Sequence, residues 1–164
     1  MEAKDFAVGF RVEHPQSLIN NEMYGSIMAD KMPPAPYKVT AKTTSGRGVY
    51  SFCMCPGGYI VNASSEEKRL AINGMSYSKR DSSNANSAII VSVTPEDFES
   101  DEPLAGMEYQ RNLEKAAYKE CLGKIPVQQF VDFKNGIKTT KYGEIKPVTR
   151  GQTDFGDMNN ILPY

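Results

Sequence analysis

The chain reads as an α+β protein: a mainly antiparallel β-sheet or partial barrel with helices in the C-terminal third. Three observations predict this. Phe6, Val8, Phe10 and Val12 alternate with Ala7, Gly9, Arg11 and Glu13, the period of a strand with one buried face. Turn-forming clusters recur at short spacing through residues 37–93, which suits hairpins better than crossover helices. After Pro103 the apolar residues change to helical spacing.

The elements follow in order. The first strand ends at His14-Pro15, because proline offers no ladder donor and restricts the residue before it. Gln16 to Gly25 predicts a short helix stopped at the glycine, and MPPAPY (32–37) is an extended connector. Strands are expected at Tyr37–Thr43, Gly48–Cys55, Tyr59–Ser64, Leu70–Met75 and Ser87–Val93. Turns fall at Ser45-Gly46, Pro56-Gly57-Gly58, Ser65–Lys68 and Asp81–Asn84. Pro103–Cys121 is the longest helix, with Leu104, Met107, Leu113, Ala116, Ala117 and Cys121 on one face and Gly123 as the stop. Pro126 is placed in the first turn of a shorter helix that turns Val127, Phe130 and Val131 inward and closes at Asn135-Gly136. Residues 137–164 read as an irregular tail with a helical end near Met158.

At 164 residues the chain is expected to be one domain, 1–164. A net charge of −1 provides no broad basic field, so neither nucleic acid nor a membrane surface is an expected partner. No apolar run approaches spanning length and the N-terminus does not read as a secretory signal, so a cytoplasmic location is expected. Asn62-Ala63-Ser64 is then a chance match to a glycosylation acceptor. Three cysteines, an odd number, are expected as free thiols.

Cys53 and Cys55 lie two apart on a predicted strand, on the same side and roughly 6.5–7 Å apart, the outer limit for a disulfide. A one-residue gap fits neither the redox helix motif nor zinc knuckles, and nothing in the spacing makes His14 and Cys121 converge on them, so no metal is expected. The plainer reading of CMCPGG is two small packed thiols and a type II turn, with Pro56 second and Gly57 third. Gly46-Arg47-Gly48 is no dinucleotide fingerprint, since it leads into a strand rather than out of one into a helix. His14 reads as a cap or surface residue, and Glu13 and Asp97 have no obvious partner. The segment 73–88 concentrates neutral hydrogen-bonding groups between two apolar strands, with Asn73 and Asn86 at strand edges.

FAVGFRVEHPQSLIN (6–20), GRGVYSFCMCPGGYIVNASSEE (46–67) and NGMSYSKRDSSNANSAIIVSV (73–93) together resemble the central portion of a family of largely uncharacterised FAD-dependent dehydrogenases. PLAGMEYQRNLEKAAY (103–118) and PVQQFVDF (126–133) add softer support. Glu67-Lys68-Arg69 departs from the family's glycine there. The resemblance implies an inserted, substrate-side domain whose FAD-binding segments lie outside this chain, so that the isolated chain is inactive and does not hold FAD tightly. It also implies a cavity face over the flavin formed by Cys53, Cys55, Gly57, Gly58, Asn73, Met75, Ser76, Asn84 and Asn86. The expected partners are the remaining FAD-binding segments and an unidentified small-molecule substrate. A stand-alone small-ligand or protein-interaction module is the competing expectation, and a small thiol or zinc protein the third. A bare sheet edge or apolar patch would favour the first reading, a closed polar surface the second.

Overall fold

The computed structural model describes residues 3–98, 100 and 102–163. Its strands are β1 (Phe6–Pro15), β2 (Thr40–Lys42), β3 (Gly48–Cys55), β4 (Tyr59–Asn62), β5 (Ile72–Met75), β6 (Asn84–Val93), β7 (Ile125–Val127), β8 (Thr149–Arg150) and β9 (Thr153–Phe155). Its helices are α1 (Gln16–Tyr24), α2 (Ala105–Cys121) and α3 (Phe130–Lys134), with 3-10 turns at Pro95–Asp97 and Met158–Asn160. The fold is α+β with mainly antiparallel sheets and its longest helix in the C-terminal half, and the sheets do not close into a barrel.

The main sheet has the order β1-β6-β3-β2, antiparallel throughout. β1 and β6 pair along their full length, from Phe6 opposite Val93 to Pro15 opposite Asn84. Residues opposite one another share a face. One face therefore carries Phe6 and Val8, which pack with Val93, Phe98, Ala105 and Tyr109 in the principal apolar cluster. The other carries Arg11 and Glu13 beside Asn86 and Cys55. A second sheet, β5-β4-β8, covers this polar face, and a third, β7-β9, brings the C-terminal segment against α2.

Several boundaries differ from the sequence reading. β2 is shorter than Tyr37–Thr43, and β5 begins at Ile72 rather than Leu70. β6 begins at Asn84, three residues before the expected start, because pairing with β1 runs on to Pro15. Pro126 lies in β7 and not in a helix: Ile125–Val127 pairs in parallel with Thr153–Phe155. The helix that follows is only α3, and Phe130 and Val131 point outward, 63% and 57% exposed. Leu104 and Met107 are likewise exposed, so the buried stripe of α2 is narrower than its periodicity suggested. That helix ends in left-handed backbone at Leu122 (φ 52°), one residue before the expected glycine. Residues 137–164 are not wholly irregular: they hold β8, β9 and the 3-10 turn at Met158.

Candidate functional site

β1 serves two dissimilar regions. The first is a polar knot beneath the second sheet. Arg11 donates from Nε to Asn86 Oδ1 (2.9 Å), and from Nη2 to the same oxygen (2.7 Å) and to the Cys53 carbonyl (2.6 Å). The guanidinium can lie there only because β5 passes over it at Gly74. A Cβ at that position would sit 2.1 Å from Arg11 Nη2 and 2.5 Å from Asn86 Oδ1. Burial pushes Arg11 below its ordinary value, and the hydrogen bonds replace the water it gives up.

The two cysteines diverge. A register shift between Phe52 and Cys55 inserts a bulge, with Cys53 at φ 45°. This breaks strand alternation, so Cys53 is exposed and Cys55 buried, contrary to the same-side expectation. Cys55 Sγ donates to the Cys53 carbonyl at 3.3 Å. Burial pushes the Cys55 thiol up, with Arg11 opposing, so at neutral pH it remains a thiol rather than a nucleophilic thiolate. Cys121 is buried beside β9 and its thiol is also raised by burial. Among the described residues no three His, Cys, Asp or Glu side chains converge in a metal-holding group.

The Pro-Gly-Gly corner packs against the chain itself. Gly57 has φ 48°, as a third turn position requires, and a Cβ there would lie 1.8 Å from the Arg80 carbonyl oxygen. At Gly58 a Cβ would meet the Met75 carbonyl, the Cys55 Cβ and Ser76 Oγ. Ser76 Oγ donates to the Pro56 carbonyl (2.8 Å), and the Gly57 amide donates to Gln16 Oε1 (2.7 Å). Cys55, Gly57, Gly58, Met75, Ser76, Asn84 and Asn86 thus gather in one buried or half-buried knot. Cys53 contributes its carbonyl, while Asn73 is exposed and accepts from its neighbour's amide. Asn86 is fully buried, and its Nδ2 has no hydrogen-bond partner.

The second region is a cavity of about 510 Å³ beside β1, walled by Phe10, Ile60, Ile72, Val127, Phe133 and Phe155. None of the nine residues singled out from the sequence lines it, but Arg11 and Glu13 do. Glu13 Oε1 accepts from the Val148 amide (2.9 Å) and from Asn84 Nδ2 (3.4 Å), which ties the C-terminal segment to the strand. Burial raises this carboxyl above the usual range, and those hydrogen bonds only partly offset it. Asp97 also has a partner, Arg47, at 2.5 Å. The His14 ring packs at a tilt against Tyr37, its Nε2 buried without a partner and its basicity lowered by burial. Arg11, Glu13 and the cavity were missed from sequence. The available signal was the placement of two charges on the otherwise small-residue face of a strand, where a charge needs a built partner.

These features define an α+β fold with an internal polar knot and an open apolar cavity. By sequence comparison the chain belongs to a family of FAD-dependent proteins, described as C-terminal domain-like, whose pattern matches residues 5–164. It is 49% identical over 167 residues to an uncharacterized protein of Clostridium beijerinckii, covering 99% of this chain and 31% of that protein. The chain therefore spans about a third of the relative's length. No helix among the described residues is long and apolar enough to cross a membrane.

The family name raises the question of whether these residues suit a whole FAD. Its diphosphate needs a ring of backbone amides at a glycine loop or helix start, or cations free to pair with it. Gly48 leads into β3, Arg47 is engaged by Asp97, and Arg11, the cation lining the cavity, is already bound to Asn86 and Cys53. Neither the glycine pair at 46 and 48 nor the cation lining the cavity is thus arranged to hold the diphosphate.

Proposed function

We propose that this chain is the substrate-side part of an FAD-dependent oxidoreductase of dehydrogenase type, forming a wall of its substrate cavity while other segments of the protein grip the flavin. The observation that carries this reading is the surface left uncovered. The chain exposes 10,608 Å², whereas a compact monomer of 18.2 kDa exposes about 8,100 Å². Part of the excess is apolar and surrounds the cavity: Phe130, Val131, Tyr142 and Ile145 line it and are 43–63% exposed. An apolar rim of this kind suits closure by a neighbouring domain. The relative's threefold greater length supports the same reading.

In this proposal the flavin supplies the redox chemistry, and this chain supplies orientation and exclusion of water. The test compares this chain with the longer polypeptide of the Clostridium relative, each purified without added flavin. The longer protein is expected to carry visible flavin absorbance and this chain none. A tightly held flavin in the short chain, or a colourless long protein that fails to take up FAD, would overturn the reading.

A further inference from the structure

We infer that the cavity beside β1 binds an uncharged, ring-bearing molecule that presents a hydrogen-bond donor, of the phenol or aryl-amide class, to Glu13 Oε2 and Gln129 Oε1. The inference concerns this chain alone and stands whether or not the flavin reading does. Its first ground is size and lining: about 510 Å³ with walls dominated by aliphatic and aromatic side chains, within the range of small-molecule sites.

The second ground is which polar atoms remain after internal bonding. Gln128 donates from Nε2 to the Ile137 carbonyl and accepts on Oε1 from the Met158 amide. Thr139 donates to Asp132 and accepts from the Gln129 amide. Arg11 is committed to Asn86 and the Cys53 carbonyl. Glu13 receives both of its hydrogen bonds on Oε1 and neither on Oε2. Gln129 donates from Nε2 to the Lys141 carbonyl, with no bond on Oε1. Glu144, on the exposed rim, also has an unbonded carboxylate, and the Tyr142 hydroxyl is paired with Thr153 Oγ1. The lining side-chain atoms left over are acceptors, so the complementary ligand brings donors. Walls this apolar offer a full charge little solvation, which favours a neutral donor over an ammonium.

Burial holds the Glu13 carboxyl above the usual range, which adds a pH signature. Donor binding needs the carboxylate, so it weakens as pH falls through the raised value. The other charged or titratable groups lining the cavity are Arg11 from β1 and Tyr142 and Glu144 from the C-terminal segment. Arg11 stays cationic throughout.

The experiment titrates this chain with 2-naphthol, 2-methoxynaphthalene and 1-naphthylmethylammonium, following fluorescence and backbone amide shifts. Saturable one-to-one binding of 2-naphthol is expected, about tenfold tighter than the methyl ether that lacks the donor. Shifts should concentrate at Phe10, Ile72 and Val127. Glu13→Gln keeps an acceptor for Val148 but puts an amide nitrogen at the second position, and should remove the preference for naphthol. Should that variant misfold, lowering the pH on the native chain should narrow the same preference. Equal binding of naphthol and its ether, tighter binding of the ammonium, or shifts centred on exposed Phe52 instead would each overturn the inference.

Discussion

The polar knot and the apolar cavity share one strand and have opposite physical characters. In the knot, glycines at 57, 58 and 74 admit backbone and a guanidinium at distances that no side chain would allow, and nearly every polar atom is satisfied internally. Around the cavity, apolar side chains remain half exposed, and two acceptors on Glu13 and Gln129 carry no internal bond. The contrast teaches that polarity in the sequence is a poor guide to what is open. Within the segment richest in hydrogen-bonding groups, Asn84, Asn86 and Ser87 are buried, whereas the open cavity is walled mainly by apolar side chains.

The largest effect expected from breaking this contrast is at Gly74. Gly74→Val would drive a side chain into Arg11 and Asn86 and should cost about 3 kcal/mol or more in urea unfolding. If the variant unfolded with native stability, the knot would not be packed as described. Arg11→Met comes next: it leaves Asn86 Oδ1 and the Cys53 carbonyl without their donor, and should cost roughly 2–3 kcal/mol. A loss well under 1 kcal/mol would mean that water reaches those oxygens.

A smaller, pH-dependent effect is expected outside both regions. The Arg47 guanidinium holds the Asp97 carboxyl down at about 2. Because the folded value lies below the unfolded one, this pair's contribution is present above the ordinary aspartate value and is lost as pH falls from about 4 towards 2. Arg47→Gln should raise the Asp97 titration midpoint, read from its side-chain carbon by NMR, and flatten acid destabilisation in that window.

The smallest effects belong to the cavity side. Val127→Ile adds one methylene to a half-buried position beside open space, and should change stability by less than about 1 kcal/mol. Phe130→Ser should change the isolated chain by less than about 0.5 kcal/mol, because the ring is mostly in water. In the longer protein the same change is expected to weaken flavin retention or domain closure, which would separate a covered rim from an idle one.

Much of the fold was legible because strand alternation and turn chemistry are local signals. β1 was readable from Phe6, Val8, Phe10 and Val12, and the corner at Gly57 from its proline and its need for positive φ. What failed was non-local. Pro126 looks like a helix start, and only the arrival of Thr153–Phe155 makes it a strand. Cys53 and Cys55 would share a face on an unbroken strand, and one bulge separates them. The fold brings the Pro-Gly-Gly corner and the asparagines of β6 together, with the Gly58 amide donating to the Asn84 carbonyl and Cys55 opposite Asn86. Arg11, the group they gather around, was passed over because its partners lie 75 and 42 residues away.

One tie has a consequence for biosynthesis. Glu13 is clamped by the amide of Val148, 135 positions further along the chain. At ordinary elongation rates the first strand must wait on the order of ten seconds before that clamp reaches it. During that interval the nascent strand's outer edge lacks its final cover, and ribosome-associated chaperones are the natural guardians of such an edge.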